Sequence, residues 1–182
     1  MRREPSWLRC TTRVWHPLSF SERGPGVEAH TRTTRMYFKS TFFEDYELGD
    51  KRVTLGRTIT ETDFVVHAGH TGDFFPHHLD AEWCKTQPFG QRIAHGTMIF
   101  AIGIGLTASE INPEAFSKGY DRLRFVKPVF IGNTIHSEVT ISDKSEGKKP
   151  GYGTVTEHVE VLNEHGDVVL ACDHLLVVKL RG

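Results

Sequence analysis

The chain has 182 residues, of which 38% are apolar and 12 are phenylalanine, so it can form one domain with a buried core. The formal net charge of −1 gives no indication of nucleic acid or a membrane surface as a general partner, and no apolar run approaches the roughly 18 residues of a membrane-spanning helix. Cys10, Cys84 and Cys172 are odd in number and widely spaced. They argue against a disulfide framework and favour a reducing, intracellular setting.

The first 35 residues differ in composition from the rest of the chain. They contain seven Arg, no Lys and three Glu, and Pro and Gly interrupt them without a sustained helical or strand period. The arginines fit an organellar transit peptide, whereas the glutamates and prolines fit it poorly. We therefore predict that residues 1–35 are an extension outside the fold, with Met36 as an alternative start, and that residues 36–182 form the domain. A cytoplasmic location is expected, or an organellar matrix if the extension is a transit peptide.

The first half of the domain is predicted to contain one strand followed by helices. In order, the predicted elements are an entry turn over 42–49, a strand over 52–59, a helix over 60–72, a loop over 73–80, a short helix over 80–85 and an apolar helix over 97–110. Thr60 and Asp63 have the spacing of a capping box, and Gly72 suits a helix C-cap. The last helix is expected to be buried on most sides, with small residues that allow a sheet to approach closely: Ala101, Gly103, Gly105 and Ala108.

The second half of the domain is predicted to consist of strands. They are expected around 120–129, over 135–141, over 152–162 and over 168–180, joined by a charged loop over 143–151 and a turn over 163–167. Apolar and polar residues alternate between Ile135 and Ile141, as in a strand buried on one face. One strand, then helices, then antiparallel strands predict an α+β domain whose sheet wraps around a buried helix.

Asp73 and His78 are the first candidates for chemistry. A carboxylate and an imidazole on one short loop can share a water or a substrate proton, because histidine titrates near neutrality. Pro76 lies between them and stiffens the loop. The alternative is structural: an aspartate that caps the helix starting near Asp80, beside solvent-exposed histidines.

His95 and Gly96 are the second candidates, at the start of the apolar helix. Backbone N–H groups at a helix start have no partner in the helix and can bind a developing oxyanion. The alternative is a glycine needed only for close packing. Five histidines between positions 67 and 95 raise the question of a zinc site. His67 and His70 are three apart without an HExxH motif, and no cysteine joins them, so we predict no metal.

Three motifs in order resemble the MaoC-like dehydratase family, whose type activity is (R)-specific enoyl-CoA hydration. The family pattern is approximately GDxNPxHxD followed by FGxRIAHG, and a later F-x-x-P-V-x-x-G-N/D-T. The corresponding segments are GDFFPHHLD at 72–80, FGQRIAHG at 89–96 and FVKPVFIGNT at 125–134. The resemblance covers about residues 42–178. One position departs from the pattern, because Phe75 stands where the family has Asn.

The resemblance implies a hotdog fold, in which an antiparallel sheet wraps around a long central helix, here 97–110. It implies a homodimer with an acyl-CoA tunnel, and hydration of a trans-2-enoyl-CoA thioester without a cofactor. It makes Asp73 and His78 the expected catalytic pair and Gly96 the expected donor to the thioester oxygen. The expected substrate pocket consists of Phe75, Pro76, Phe89 and His95.

Two other functions remain open from the sequence. A hotdog thioesterase would share the fold and the CoA-linked substrate, but the RIAHG motif argues against it. A non-catalytic acyl-CoA-binding subunit is kept open by Phe75, which places an aromatic ring beside the expected pair.

Overall fold

The computed structural model describes residues 42–110, 115–147 and 149–182. The predicted extension over 1–35 lies outside the described residues. The helices are α1 (Glu61–Thr71), α2 (Pro76–Leu79), α3 (Ala81–Cys84) and α4 (Gly96–Leu106). The strands are β1 (Lys51–Val53), β2 (Arg57–Thr58), β3 (Ala115–Phe125), β4 (Thr134–Glu146), β5 (Tyr152–Leu162) and β6 (Val168–Lys179).

The strands form one antiparallel sheet in the order β1-β4-β5-β6-β3, and β2 also pairs with β4. Every second side chain of β5 is buried, which is the pattern of a strand whose one face lies on a core. The alternation predicted between Ile135 and Ile141 is confirmed, because these residues lie in β4 with Ile135, Ser137, Val139 and Ile141 all buried.

Helix α4 packs against the buried face of this sheet, and Gly103 makes the closest approach. A Cβ built on Gly103 would lie 2.5 Å from Cγ2 of Val161, so only glycine fits there without a shift. The Ser137 hydroxyl donates a 2.8 Å hydrogen bond to the Gly103 carbonyl oxygen in the same contact. The predicted central helix and α+β class are confirmed. No helix within the described ranges is long and apolar enough to cross a membrane.

The prediction that α4 is buried on most sides is wrong for one face. Thr97, Ala101 and Gly105 are exposed, and their spacing of four residues places them on one side of the helix. Ala108 is also exposed, in the 3-10 turn that follows α4. Of the four small residues predicted to face the sheet, Gly103 does so and is buried.

The local signals around α1 are confirmed. The Asp63 carboxylate accepts hydrogen bonds from the Thr60 N–H and hydroxyl, at 2.8 and 2.7 Å. Gly72 ends the helix with a φ of 77°, in the left-handed region that favours glycine, and its N–H bonds to the Ala68 carbonyl oxygen. The left-handed backbone at Gly72 directs the chain away from the axis of α1, so Asp73 does not continue the helix.

Several predicted boundaries need correction. The strand expected to end at 141 continues to Glu146, which pairs with Gly153, so the charged loop is shorter than the predicted range over 143–151. The helix expected to reach 110 ends at Leu106.

The strand expected over 52–59 is interrupted, because Thr54 forms side-chain and backbone hydrogen bonds with Ser137 between β1 and β2. The strand expected from Tyr120 begins at Ala115, which pairs with Val178 of β6. The loop expected over 73–80 contains the short helix α2, with Pro76 at its first position, where a missing N–H is tolerated.

Candidate active site

His78 presents one ring nitrogen to the site because the other is occupied. Its Nδ1 lies 2.7 Å from the Ile93 carbonyl oxygen. A carbonyl only accepts, so Nδ1 carries the hydrogen, and in the neutral ring Nε2 is the nitrogen with a free lone pair. In return, the Ile93 N–H donates to the His77 carbonyl oxygen at 3.0 Å. This reciprocal pair fixes both the tautomer and the position of the ring.

Asp73 faces that free nitrogen. Its Oδ1 accepts the Phe75 N–H at 3.2 Å, and its Oδ2 lies 4.0 Å from His78 Nε2. The gap is too long for a direct hydrogen bond, yet short enough for both atoms to bond one shared water. The two side chains differ in exposure, at 48% for Asp73 and 14% for His78. The sequence prediction that these groups lie together is therefore met in the structure, and Asp73 does not cap the helix near Asp80, which is capped by Asp80 itself.

His95 positions both members of the pair. It is 1% exposed, and its Nε2 donates to the backbone carbonyl oxygen of Asp73 at 2.9 Å. Its ring stacks on His78, with centroids 3.8 Å apart and planes inclined by 25°. His95 Nδ1 is buried without a hydrogen-bond partner among the described residues. The sequence suggested a pocket-lining role for His95, whereas these contacts hold the aspartate backbone and the imidazole plane.

A further histidine borders this group. His67 on α1 lies 3.0 Å from the Thr97 hydroxyl and 4.8 Å, between ring centroids, from His95. Burial lowers the pKa of His67, and charge on His95 would lower it further. The surroundings of His67 therefore favour its neutral form.

Gly96 begins α4 directly after His95. Met98 and Ile99 both donate to the His95 carbonyl oxygen, and within the described ranges no acceptor meets the Gly96 N–H. A Cβ at this position would lie 2.8 Å from the Phe125 ring. The glycine thus serves close packing and leaves a free donor, which combines the two readings drawn from the sequence.

An apolar cavity of about 210 Å³ adjoins these groups. Its lining consists of His78, Ile93, Ala94, Gly96, Ile99, Phe125, Lys127, Val129 and Val169. The four residues predicted to line the substrate pocket are not part of this lining. Phe75 is 55% exposed and stacks on His77, with centroids 4.8 Å apart, and Phe89 is also exposed. Their role in substrate binding stays a prediction.

Asp73, His78 and His95 also form the kind of cluster that can hold a metal, with one ligand atom from each within 4.8 Å of the others. The stacked arrangement of the two rings opposes this, because imidazole lone pairs lie in the ring planes and nearly parallel planes do not direct them to one point. One nitrogen of each ring already donates to a carbonyl oxygen. The geometry therefore suits proton transfer better than metal binding.

Sequence reasoning missed Phe125, Lys127 and the Ile93 carbonyl. All three belong to the motifs that carried the resemblance, at FVKPV and RIAHG, so the motif positions were the available signal. The Ile93 carbonyl bonds His78 across 15 residues, and Phe125 and Lys127 line a cavity with His78 and Gly96 from a more distant part of the chain, so no local pattern encodes these positions.

The curled antiparallel sheet, the central helix and the Asp–His pair beside its N-terminus define the class of protein. The model of the MaoC-like domain family matches residues 44–163, and the chain belongs to this family. The fold is a hotdog. A Mycobacterium tuberculosis protein described as a double hotdog fold superposes with a TM-score of 0.65 at 18% identity, over 77% of this chain and 44% of that one.

Two closer relatives are informative. An (R)-specific enoyl-CoA hydratase of Rhodospirillum rubrum is 30% identical over 141 residues, which is 78% of this chain and 94% of that protein. A solved Archaeoglobus structure, described as a monoamine oxidase regulatory protein, is 33% identical with a TM-score of 0.73 and is covered to 95%, over 78% of this chain. The chain spans as little as 35% of the length of other curated relatives that it matches.

Proposed function

We propose that this protein is an (R)-specific enoyl-CoA hydratase, which in reverse is a 3-hydroxyacyl-CoA dehydratase. One observation carries the proposal: Asp73 Oδ2 and His78 Nε2 face each other across 4.0 Å beside an apolar cavity that also includes Gly96. A pair that can hold one water next to a space for an acyl chain is what hydration of an enoyl thioester requires.

The reaction adds one water across the double bond of a trans-2-enoyl thioester. One member of the pair removes a proton from water, and the oxygen bonds to the β-carbon. The π electrons move toward the thioester carbonyl, and the other member delivers a proton to the α-carbon. The pair gains one proton and loses one, so no net proton or electron enters or leaves. The acid and base roles are assigned to the pair as a unit.

The negative charge that develops on the thioester oxygen needs a donor. The Gly96 N–H has no acceptor among the described residues and lies at the positive end of α4. Such a donor stabilises the enolate more than the ground-state carbonyl, which accelerates the chemical step. No metal, flavin or nicotinamide takes part in this chemistry, and we propose that none is bound.

The first test follows the conjugated enoyl absorbance of crotonyl-CoA, with a free-thiol assay in parallel. Hydration lowers the absorbance without releasing thiol. Asp73→Asn and His78→Gln should each reduce turnover by about a hundredfold to ten-thousandfold, the range for positioned acid–base groups. His77→Gln is the matched control, because His77 shares α2 but is absent from the cavity lining.

Near-normal turnover by either pair variant would refute the assignment of the pair. Thiol release would move the protein to the thioesterases. Acyl-CoA binding without turnover of any enoyl thioester would identify a binding subunit instead.

We also propose that the protein is a homodimer that associates through β3. Within the described ranges β3 pairs with β6 along one of its edges, and its other edge has no partner strand. Phe116, Phe125 and Val126 on or beside this strand are all more than half exposed. A long edge strand with exposed aromatic residues favours pairing with another chain. Light scattering of the purified protein should give twice the chain mass, and a monomer would exclude the dimer.

A further inference from the structure

Lys127 is the charged side chain in the lining of an otherwise apolar cavity that it shares with His78 and Gly96. It follows β3, and its N–H hydrogen-bonds to the Val169 carbonyl oxygen at 3.3 Å. The side chain is 51% exposed, whereas Ile99, Val129 and Val169 are buried. Lys127 therefore lies at the open side of the cavity, and the aliphatic residues form its closed side.

The ammonium of Lys127 is held by an internal carboxylate. Its Nζ lies 2.6 Å from Asp167 Oδ1, in the turn that joins β5 to β6. Asn163 fixes this turn, because its side chain accepts the Asp167 N–H at 3.0 Å. Both side chains of the ion pair are exposed to solvent, and exposed pairs contribute little to stability. A carboxylate in the cavity can therefore compete for the ammonium, which reaches it through rotation of a flexible four-carbon stem.

The position of Lys127 decides which anion it can meet. A sphere of 210 Å³ is about 7 Å across. The pantetheine arm of coenzyme A is about as long as four extended residues of about 3.5 Å each, so it holds the first phosphate roughly 14 Å from the sulfur. With the thioester carbonyl bonded to the Gly96 N–H, an extended arm places the phosphates farther from Gly96 than the width of the cavity that Lys127 lines. This comparison favours an anion carried by the acyl chain as the partner of Lys127.

We propose that Lys127 makes the protein selective for short acyl thioesters that carry a second carboxylate. This inference rests on the proposed function, since it places the thioester carbonyl at Gly96. The aliphatic wall covers the hydrocarbon part of the chain, and Lys127 supplies a charge-assisted hydrogen bond to the carboxylate. Asp167 takes the place of that carboxylate when the cavity contains no substrate.

The test uses saturated thioesters, so it does not depend on turnover. Glutaryl-CoA and pentanoyl-CoA have the same chain length and differ in one terminal carboxylate. Their dissociation constants are measured by calorimetry with the full chain. The wild-type protein should bind glutaryl-CoA more tightly, on the order of tenfold to a hundredfold, as expected for a hydrogen bond to a charged group.

Variants assign this preference to the residue. Lys127→Met keeps the aliphatic stem and should bring the ratio of the two constants close to one. Asp167→Asn removes the internal competitor and should raise the ratio. Lys85→Met is the matched control: Lys85 forms a similar exposed pair with Glu82 at 2.7 Å but is absent from the cavity lining, so the ratio should stay at the wild-type value.

Equal affinity of the wild-type protein for the two ligands would overturn the inference. A preference that survives in Lys127→Met would also overturn it. If Lys127→Met weakens both ligands equally, Lys127 binds the coenzyme A part and the proposed selectivity is wrong. Hydration of trans-2-pentenoyl-CoA and of glutaconyl-CoA, which carries the second carboxylate, is measured separately, and turnover of neither would refute the proposed function without affecting the binding ratio.

Discussion

Gly103 and Gly105 offer a paired test of how α4 sits on the sheet. Replacing either glycine with alanine in a helix interior gains up to about 1 kcal/mol of helix propensity. At Gly105 a Cβ meets nothing within 4 Å, so this gain should be realised in part. At Gly103 the Cβ would lie 2.5 Å from Cγ2 of Val161, a fully buried residue with a stiff β-branched side chain.

The difference between the two variants isolates the packing effect, because the propensity gain is common to both. Inserting a methyl group into a filled core costs about 1–3 kcal/mol, so Gly103→Ala should be less stable than Gly105→Ala by about that amount. Urea unfolding, followed by circular dichroism at one protein concentration, measures this difference. In a Val161→Ala background the added methyl group has room, so Gly103→Ala should cost less stability there than it does in the wild-type protein. Equal stability of the two glycine variants would refute the close approach of α4 to β5.

Three further outcomes are expected. Burial alone would raise the pKa of Glu157, but its hydrogen bond with His174 and the charge of Arg52 more than offset this, so its pKa lies below the usual value. The stability that Glu157 contributes is therefore present above its unfolded-state pKa and is lost as the pH falls through the lower folded-state pKa. Glu157→Gln should flatten the acid limb of a pH–stability curve and should cost about 3 kcal/mol of unfolding free energy near neutrality. Gly72→Ala should cost about 1 kcal/mol because its φ is 77°, and should lower turnover by displacing the candidate aspartate, whereas Gly69→Ala, with no atom within 4 Å of the new Cβ, should be neutral or stabilising. Dialysis against EDTA should leave hydratase activity unchanged, and a loss restored by a divalent metal would contradict the proposed chemistry.

Local signals made part of the fold readable from the sequence. The capping box at Thr60 and the glycine at 72 set the ends of α1 because their hydrogen bonds join residues three or four apart. The bounds of β5 match the predicted range over 152–162, since alternation and a turn on each side mark it. Loop and helix-start chemistry made Asp73, His78 and Gly96 candidates, and the motif resemblance then gave them expected roles. The structure brings them to one cavity or its edge.

The remainder depends on contacts between distant parts of the chain. The break between β1 and β2 arises from hydrogen bonds with Ser137, about 80 residues further along. The early start of β3 comes from pairing with the end of β6. The roles of His95 and Lys127 depend on partners at Asp73 and Asp167, across 22 and 40 residues. Sequence periodicity reports which face of an element is buried, but it does not report what covers that face.

The reciprocal hydrogen bonds between Ile93 and the start of α2 have a consequence for how the chain can vary. They hold the imidazole of His78 beside the segment that leads into α4. Residues 85–91 lie between these two segments in the chain, form exposed turns and take no part in these hydrogen bonds. Lengthening a loop whose ends are already held together costs entropy only logarithmically. Insertions in that stretch should therefore be tolerated, while the separation between the imidazole and the first turn of α4 stays constant. The protein can change the size of this surface loop without changing the distances on which the proposed chemistry depends.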